Sequence, residues 1–344
     1  MAVKIGLVGY QGSGKSSLFE WLTGVPADPS KSHTSQAAMA EVPDDRVQPL
    51  CDIYSPKKIT IAALELVDTP GLSRKHEGNA SRLALIREAG CLIFVVAAFD
   101  GSNPITDLSG FQEDLLLADL EILGGRVERL REAVKKPRAN RDEQLAELAA
   151  IEPLLQELEE TQSIDGEKMT EEQKKAIRSF CLFMHKPRFA IINLADDDTE
   201  GQRFLDQAPP GMTVVAVPIG LELELARMSP EDRDEFRAEM GIEGFDRDGL
   251  LRTMMDVSGQ MLFFTAGEKE VRTWMTHKGT TAVEAADGIH SDLARGFIRA
   301  ETMTCDDLIR LGSERDVKAS NLVRQEPKDY VVQDGDILNI KFNV

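Results

Sequence analysis

The chain has 344 residues, 42% hydrophobic and 29% charged, which is enough apolar material for two or three packed domains and too much for a disordered tail. Its 40 lysines and arginines stand against 59 aspartates and glutamates, a net charge of −19; it will not coat free DNA, RNA or anionic membrane, and any such contact needs a local patch. The longest apolar run, Cys91 to Phe99, is far below the roughly 18–20 residues of a membrane span, and MAVKIGLVGY lacks the apolar stretch of a secretory signal, so a soluble, cytoplasmic protein is expected.

Val3 to Val8 opens a series of short, nearly continuous apolar segments that continues at Leu64 to Val67, Cys91 to Val96, Phe189 to Ile192 and Val214 to Val217. Such runs are strands buried on both faces, and helical stretches between them, beginning with Ser16 to Leu22, predict a doubly wound α/β domain with a mostly parallel sheet. Directly after the first strand comes Gly9-Tyr10-Gln11-Gly12-Ser13-Gly14-Lys15-Ser16, a complete GxxxxGKS leading into a helix that continues with Ser17. Glycines let consecutive backbone N–H groups turn toward a phosphate, the helix start favours negative charge, Lys15 bridges β- and γ-phosphates, and the Ser16 hydroxyl ligates Mg²⁺.

Thr34 lies in a polar stretch where a switch threonine could cap Mg²⁺ when the γ-phosphate is present, with Ser32 and Ser35 as rivals. After the second strand, Asp68-Thr69-Pro70-Gly71 matches DxxG: Asp68 would hold Mg²⁺ through water and the Gly71 amide would sense the γ-phosphate. Two phosphate-directed turns at the ends of neighbouring parallel strands point at one crevice. The residue after Gly71 is Leu72, where many GTPases carry the glutamine that orients water, so slow hydrolysis is expected; His76 is the nearest other candidate and reads better as an exposed loop residue.

Leu116, Leu120, Leu123, Val127, Leu130 and Val134 form an a/d seam, repeated by Leu148, Ile151, Leu155 and Leu158. They predict a helical hairpin over 124–181, bent near Pro137 and inserted in an α/β domain made of 1–123 and 182–262. Its tip, Lys135 to Arg141, holds four basic residues in seven and could touch RNA phosphates or be plain solvated loop charge. After the fourth strand, Asn193-Leu194-Ala195-Asp196 takes the place of the guanine-reading NKxD: Asp196 keeps GTP open, Leu194 speaks against it, and Asn193 could instead satisfy local backbone. Residues 263–344 read as a small mixed β module, with strands at Glu270 to Met275, Gly296 to Glu301 and Ile337 to Asn343 and a helix at Ala282 to Ile289. Cys51, Cys91, Cys181 and Cys305 have no paired spacing, and neither zinc site nor disulfide is expected.

Together the phosphate loop, Val42-Pro43-Asp44-Asp45-Arg46, DTPGL, Leu115 to Leu120 (LLLADL) and the C-terminal Phe264-Thr265-Ala266-Gly267-Glu268-Lys269, Gly296-Phe297-Ile298-Arg299 and Asp329-Tyr330-Val331-Val332 stretches resemble the YchF/Obg-like ATPase family, whose C-terminal module is a β-grasp TGS domain. The resemblance spans essentially the whole chain and implies slow hydrolysis of a purine nucleotide, ATP more often than GTP, with ribosome association, for which the Lys135 to Arg141 tip and the TGS domain are the candidate contacts. The chain departs from the family pattern at Gly12, where relatives usually have asparagine, which puts potassium dependence in doubt, and in a shortened second switch. A nucleotide-holding scaffold without meaningful hydrolysis and a small-molecule P-loop kinase are the competing readings; DTPG and the β-grasp tail argue against the kinase.

Overall fold

A computed structural model describes residues 3–31, 33–137, 139–166, 168–198, 200–209, 211–242 and 244–343; Ser32 and Arg138 lie outside them. Seven strands come first: β1 (Lys4–Val8), β2 (Gln36–Glu41), β3 (Ile59–Thr60), β4 (Ala63–Asp68), β5 (Cys91–Ala97), β6 (Arg188–Asn193) and β7 (Val214–Val217). Six of them form one sheet in the order β2-β4-β1-β5-β6-β7, parallel throughout except for β2, which runs antiparallel to β4. All seven residues of β5 are buried, because helices cover both faces of the sheet's centre. Successive side chains feed opposite layers: Ile93 and Val95 join Ile5, Leu18 and Ile191 on one face, while Leu92, Phe94 and Val96 join Val8, Phe111 and Ile192 on the other. The fold is that of a P-loop NTPase.

The edge strand β2 was not anticipated. Its sequence, QAAMAE, is half exposed and has no apolar run, so only its register against β4, Gln36 opposite Asp68 through Glu41 opposite Ala63, makes it a strand.

The hairpin grows out of the domain without a break. One helix runs from Pro104 to Ala133, 30 residues and about 45 Å at 1.5 Å per residue, and is answered by the helix Arg141–Thr161. The expected boundary at 124 therefore falls inside a continuous helix: Gly124 and Gly125 have open space where a Cβ would sit, and glycine lowers helix propensity without ending the helix. Both predicted seams meet in one apolar layer, with Leu123, Val127 and Leu130 against Ile151, Leu154 and Leu158. Arg126 pairs bidentately with Glu147 at 2.7 and 2.6 Å across the two legs.

At its base the hairpin is knotted to the domain by Arg87. The guanidinium donates to fully buried Asp119 at 2.7 Å, to the carbonyls of Ala118, Phe180 and Cys181, and lies 4.0 Å over the Phe183 ring. Both the outgoing and the returning chain are thereby held by one side chain.

A second sheet holds β8 (Gln260–Ala266), β9 (Val271–His277), β10 (Phe297–Thr304), β11 (Arg324–Glu326) and β12 (Asp336–Phe342) in the order β11-β10-β12-β8-β9-β3, consistent with a TGS-like module. The expected boundary at 263 cuts β8. The outermost strand, β3, comes from the N-terminal part and pairs parallel with β9. Leu262, Phe264, Val271, Met303 and Leu308 belong to the same apolar cluster as Ile5, Leu18 and Trp21, so the C-terminal module shares a core with the NTPase domain. Arg46 reinforces the junction, bonding Asp44 and reaching Asp334 at 2.7 Å while its guanidinium lies over Phe264. Gly335, at φ +82°, allows that approach, because a Cβ there would stand 2.6 Å from the Arg46 guanidinium. Among the described residues no helix is long and apolar enough to cross a membrane.

Candidate functional site

The phosphate loop turns between β1 and the helix Lys15–Thr23, and its glycines answer different demands. A Cβ on Gly9 (φ +150°) would lie 2.3 Å from the Val95 carbonyl oxygen of β5, and one on Gly14 (φ +97°) would lie 2.2 Å from the Asn193 amide nitrogen. Gly12 also has positive φ, +80°, but faces open space, so it answers a backbone demand only. Ser13 is buried and its carbonyl accepts from Asn193 Nδ2 at 3.2 Å.

Lys15 is 6% exposed, its Nζ donating to the Tyr10 carbonyl at 2.7 Å and, more weakly, to Ser13 Oγ at 3.4 Å. Burial pulls its pKa down to about 8, with Asp68 opposing that shift. An ammonium held inside the loop with one nearby carboxylate is a charge that incoming phosphates would stabilise.

Ser16 Oγ donates to Asp68 Oδ2 at 2.6 Å, while Asp68 Oδ1 is buried and has no hydrogen-bond partner among the described residues. Burial raises the Asp68 pKa against the lowering effects of Ser16 and Lys15. An orphaned carboxylate oxygen beside a hydroxyl at the mouth of a phosphate loop is the oxygen chemistry Mg²⁺ takes, directly or through water, so the residues present fit that ion. Thr34 is exposed and does not line the cleft.

The second turn is fastened onto the first. Thr69 Oγ1 donates to the Leu7 carbonyl at 2.6 Å, Leu72 N–H donates to the Gly9 carbonyl at 3.0 Å, and Gln11 N–H donates to the Leu72 carbonyl at 3.0 Å. A Cβ on Gly71 would lie 2.8 Å from both the Gln11 backbone and Lys15 Nζ, so only glycine fits between the two turns. Leu72 is fully buried, which removes it from any contact with attacking water. His76 has an exposed side chain whose Nδ1 lies 3.5 Å from Asp114 on the long hairpin helix.

On the base side, Gly12, Gly14, Lys15, Ser16, Ser17, Asn193, Leu194 and Asp196 converge on one cleft of about 590 Å³. Asn193 spends its amide on backbone, donating to Ser13 and accepting from Ile219 N–H at 3.2 Å, and so ties the phosphate loop to the next loop. Leu194 is 5% exposed and packs in the apolar layer of Val8, Phe94 and Phe111. Asp196 is exposed, with its carboxylate 2.7 Å from where a Cβ on Gly220 would be.

Three residues of this site lie outside the set expected from the sequence. Phe99, 45% exposed, and Gly220 line the cleft. Tyr10, inside the phosphate loop, sends its hydroxyl 3.0 Å to Asp114, stacks edge-on with Phe111 and carries Arg74 4.9 Å over its ring. Arg74 in turn pairs with Asp107, so the second switch leans on the hairpin helix at two points. An exposed aromatic just past β5 was the one available hint, for Phe99.

Among the described residues no group of histidine, cysteine and carboxylate side chains is placed to hold a metal by itself. Cys51, Cys91 and Cys305 are buried free thiols and Cys181 is an exposed one.

Residues 4–123 match the family described as 50S ribosome-binding GTPase, and residues 261–343 match YchF-GTPase_C, described as a protein of unknown function. The chain is 34% identical to "Ribosome-binding ATPase YchF" of Escherichia coli O157:H7 and 33% identical to that of Bacillus subtilis (strain 168), each alignment covering 100% of both proteins. It is 34% identical to "Obg-like ATPase 1" of Oryza sativa subsp. japonica over 99% of this chain and 92% of the relative. Among solved structures, the Schizosaccharomyces pombe YchF GTPase superposes with a TM-score of 0.83 at 27% identity, covering 98% of this chain and 97% of that one. With full-length identity of this order and the C-terminal match, the chain belongs to the YchF/Obg-like ATPase family of P-loop NTPases.

Proposed function

We propose that this chain binds a purine nucleoside triphosphate with Mg²⁺, hydrolyses it slowly and acts as a ribosome-associated switch in the cytoplasm, with ATP preferred over GTP. The observation that carries the reading is the convergence of Asp68 and Gly71 on Ser16 and Lys15 of the phosphate loop, the latter two lining the cleft. Phosphoryl transfer asks a protein mainly for positioning and charge neutralisation. The amides of Gly9 to Gly14 cradle the phosphates, Lys15 takes developing charge, and the Gly71 amide reports the γ-phosphate. Ser16 and Asp68, with Thr34 once the first switch closes, would hold Mg²⁺, which when bound neutralises the phosphate oxygens. Buried Leu72 leaves the water without an orienting side chain, hence the slow rate.

Leu194 in the lysine position and the apolar wall of Phe99 favour adenine, while the exposed Asp196 is the one group suited to guanine. Calorimetric titration should therefore show tighter binding of ATP than of GTP with Mg²⁺, and tighter GTP would assign base reading to Asp196. Phe99→Ala should weaken binding about fivefold or more, since one aromatic–base stack contributes about 1–3 kcal/mol.

Ribosome association follows the names of the full-length relatives, and we assign the contact to the Lys135 to Arg141 tip and the C-terminal module, residues 263–344. The division of labour is then a nucleotide domain (1–123 and 182–262), a reaching hairpin (124–181) and a docking module. Phosphate release with and without ribosomes decides between a switch, which the ribosome accelerates, and a scaffold, which releases none in either case. The scaffold reading draws on the same buried Leu72.

A further inference from the structure

At the amino ends of the sheet, opposite the nucleotide cleft, lies a second cavity of about 510 Å³ between Gly90, just before β5, and Lys186, just before β6. Five basic side chains line it, Arg87, Lys174, Arg178, His185 and Lys186, against one acid, Glu88. In a chain of net charge −19 this is a local reversal of sign.

The charges are not cancelled where they stand. Lys186 Nζ donates to the Arg87 and Ala89 carbonyls at 2.6 and 2.5 Å, lies 5.5 Å over the Phe183 ring and makes no ion pair among the described residues. Among the described residues Lys174 pairs with Glu171, on its own helix, in an exposed pair of the kind that contributes little. Arg178 has no carboxylate within salt-bridge reach among the described residues, and only Arg87 is committed, to Asp119. The crowding registers in the groups themselves. Burial and then the Lys186 and Lys174 charges lower the His185 pKa, and burial together with Arg87 brings Lys186 down to about 8 against the opposing Cys181 and Asp119. Ile177 and Leu182 supply an apolar wall.

We infer that this cavity binds backbone phosphate of ribosomal RNA, in addition to the contacts made by the hairpin tip; the inference rests on the ribosome-associated reading above. The Arg178 guanidinium and the Lys174 ammonium are the donors left to a ligand, and donors set in a concave wall suit a compact phosphate better than they suit a flat acidic protein surface. The cavity opens at the end of the sheet away from Lys15, so RNA there does not compete with nucleotide. It also borders the Arg87 knot, so phosphate bound here touches the residues that fix the hairpin's base.

The experiment uses the full chain, purified ribosomes and a labelled single-stranded RNA of roughly 12 nucleotides. Lys174→Glu combined with Arg178→Glu should weaken binding to ribosomes and to RNA by about tenfold or more near 0.1 M salt and flatten the salt dependence by about 0.7 per lost phosphate contact. Arg178→Lys should retain most of the binding, and nucleotide affinity should not change. Parent-like affinity and salt slope in the double variant, with loss confined to Lys135→Glu, would overturn the assignment. Ribosome binding that depends on Arg178 while the parent ignores free RNA would place an acidic protein in the cavity and overturn it too. A parent chain that binds neither ribosomes nor RNA removes the ribosome-associated reading itself, a separate result from either of these.

Discussion

Replacing Lys15 by alanine should lower phosphate release from bound nucleotide by about 10³-fold, the scale seen when one preorganised charge donor is removed from a developing anion. The ammonium is already aimed, with its Nζ between the Tyr10 carbonyl and Ser13 Oγ beneath Gly71. Stability should change little, because the variant also relieves the chain of a buried charge whose pKa burial has lowered. Arginine should fail nearly as completely as alanine. Gly71 approaches so closely that its Cβ would stand 2.8 Å from Lys15 Nζ, which leaves no room for a planar guanidinium. Single-turnover phosphate release with saturating nucleotide is the measurement. A Lys15→Ala protein as fast as the parent would remove the hydrolytic reading and leave the scaffold.

Arg87→Met should destabilise the fold by about 3–5 kcal/mol, the usual cost of leaving one member of a buried ion pair without its partner. Asp119 is fully buried and would keep backbone N–H donors of the 183–184 turn, Met184 N–H at 2.9 Å among them, but no opposite charge, while the carbonyls of Ala118, Phe180 and Cys181 would lose their donor. Burial already raises the Asp119 pKa against the lowering effect of Arg87. With the guanidinium gone, the folded state would hold a proton that the unfolded chain releases, so the variant's stability should fall as pH rises above the ordinary carboxylate range. Denaturant unfolding across pH tests both statements. Adding Asp119→Leu should recover much of the loss and abolish the pH dependence; a single-variant cost below about 1 kcal/mol would mean that the hairpin base is held by its apolar layer alone.

The two anchors divide the molecule's freedom. The C-terminal module shares its apolar core with the nucleotide domain and is pinned by Arg46, so swinging it away would expose Phe264, Val271 and Leu308. The hairpin is held at its base and meets the second switch through buried Leu72, which packs with Leu108 and Phe111, and through exposed or partly exposed polar contacts, Arg74 with Asp107 and His76 with Asp114, while Tyr10 of the phosphate loop reaches Asp114. In a nucleotide-driven change, the polar contacts are the ones that can rearrange without opening a core.

What the sequence determined by itself is what depends on near neighbours along the chain. Strands buried on both faces must be runs of apolar residues, a phosphate loop must place glycines and a lysine at fixed spacing between strand and helix, and two helices that bury each other must carry a seam. β1, β4, β5, β6 and β7, the convergence of the phosphate loop with the NLAD loop, and the hairpin were legible for those reasons. The tertiary structure alone decided what depends on distant partners. β2 is a strand only because β4 offers an edge, and β3 leaves its domain to extend the other sheet. Asn193 serves backbone across 180 residues, and Tyr10 finds Asp114 across 104. Gly71 is obligatory because another loop closes over it. Such pairings leave no period or spacing in the chain, because their energy comes from contacts that exist only once the layers have packed.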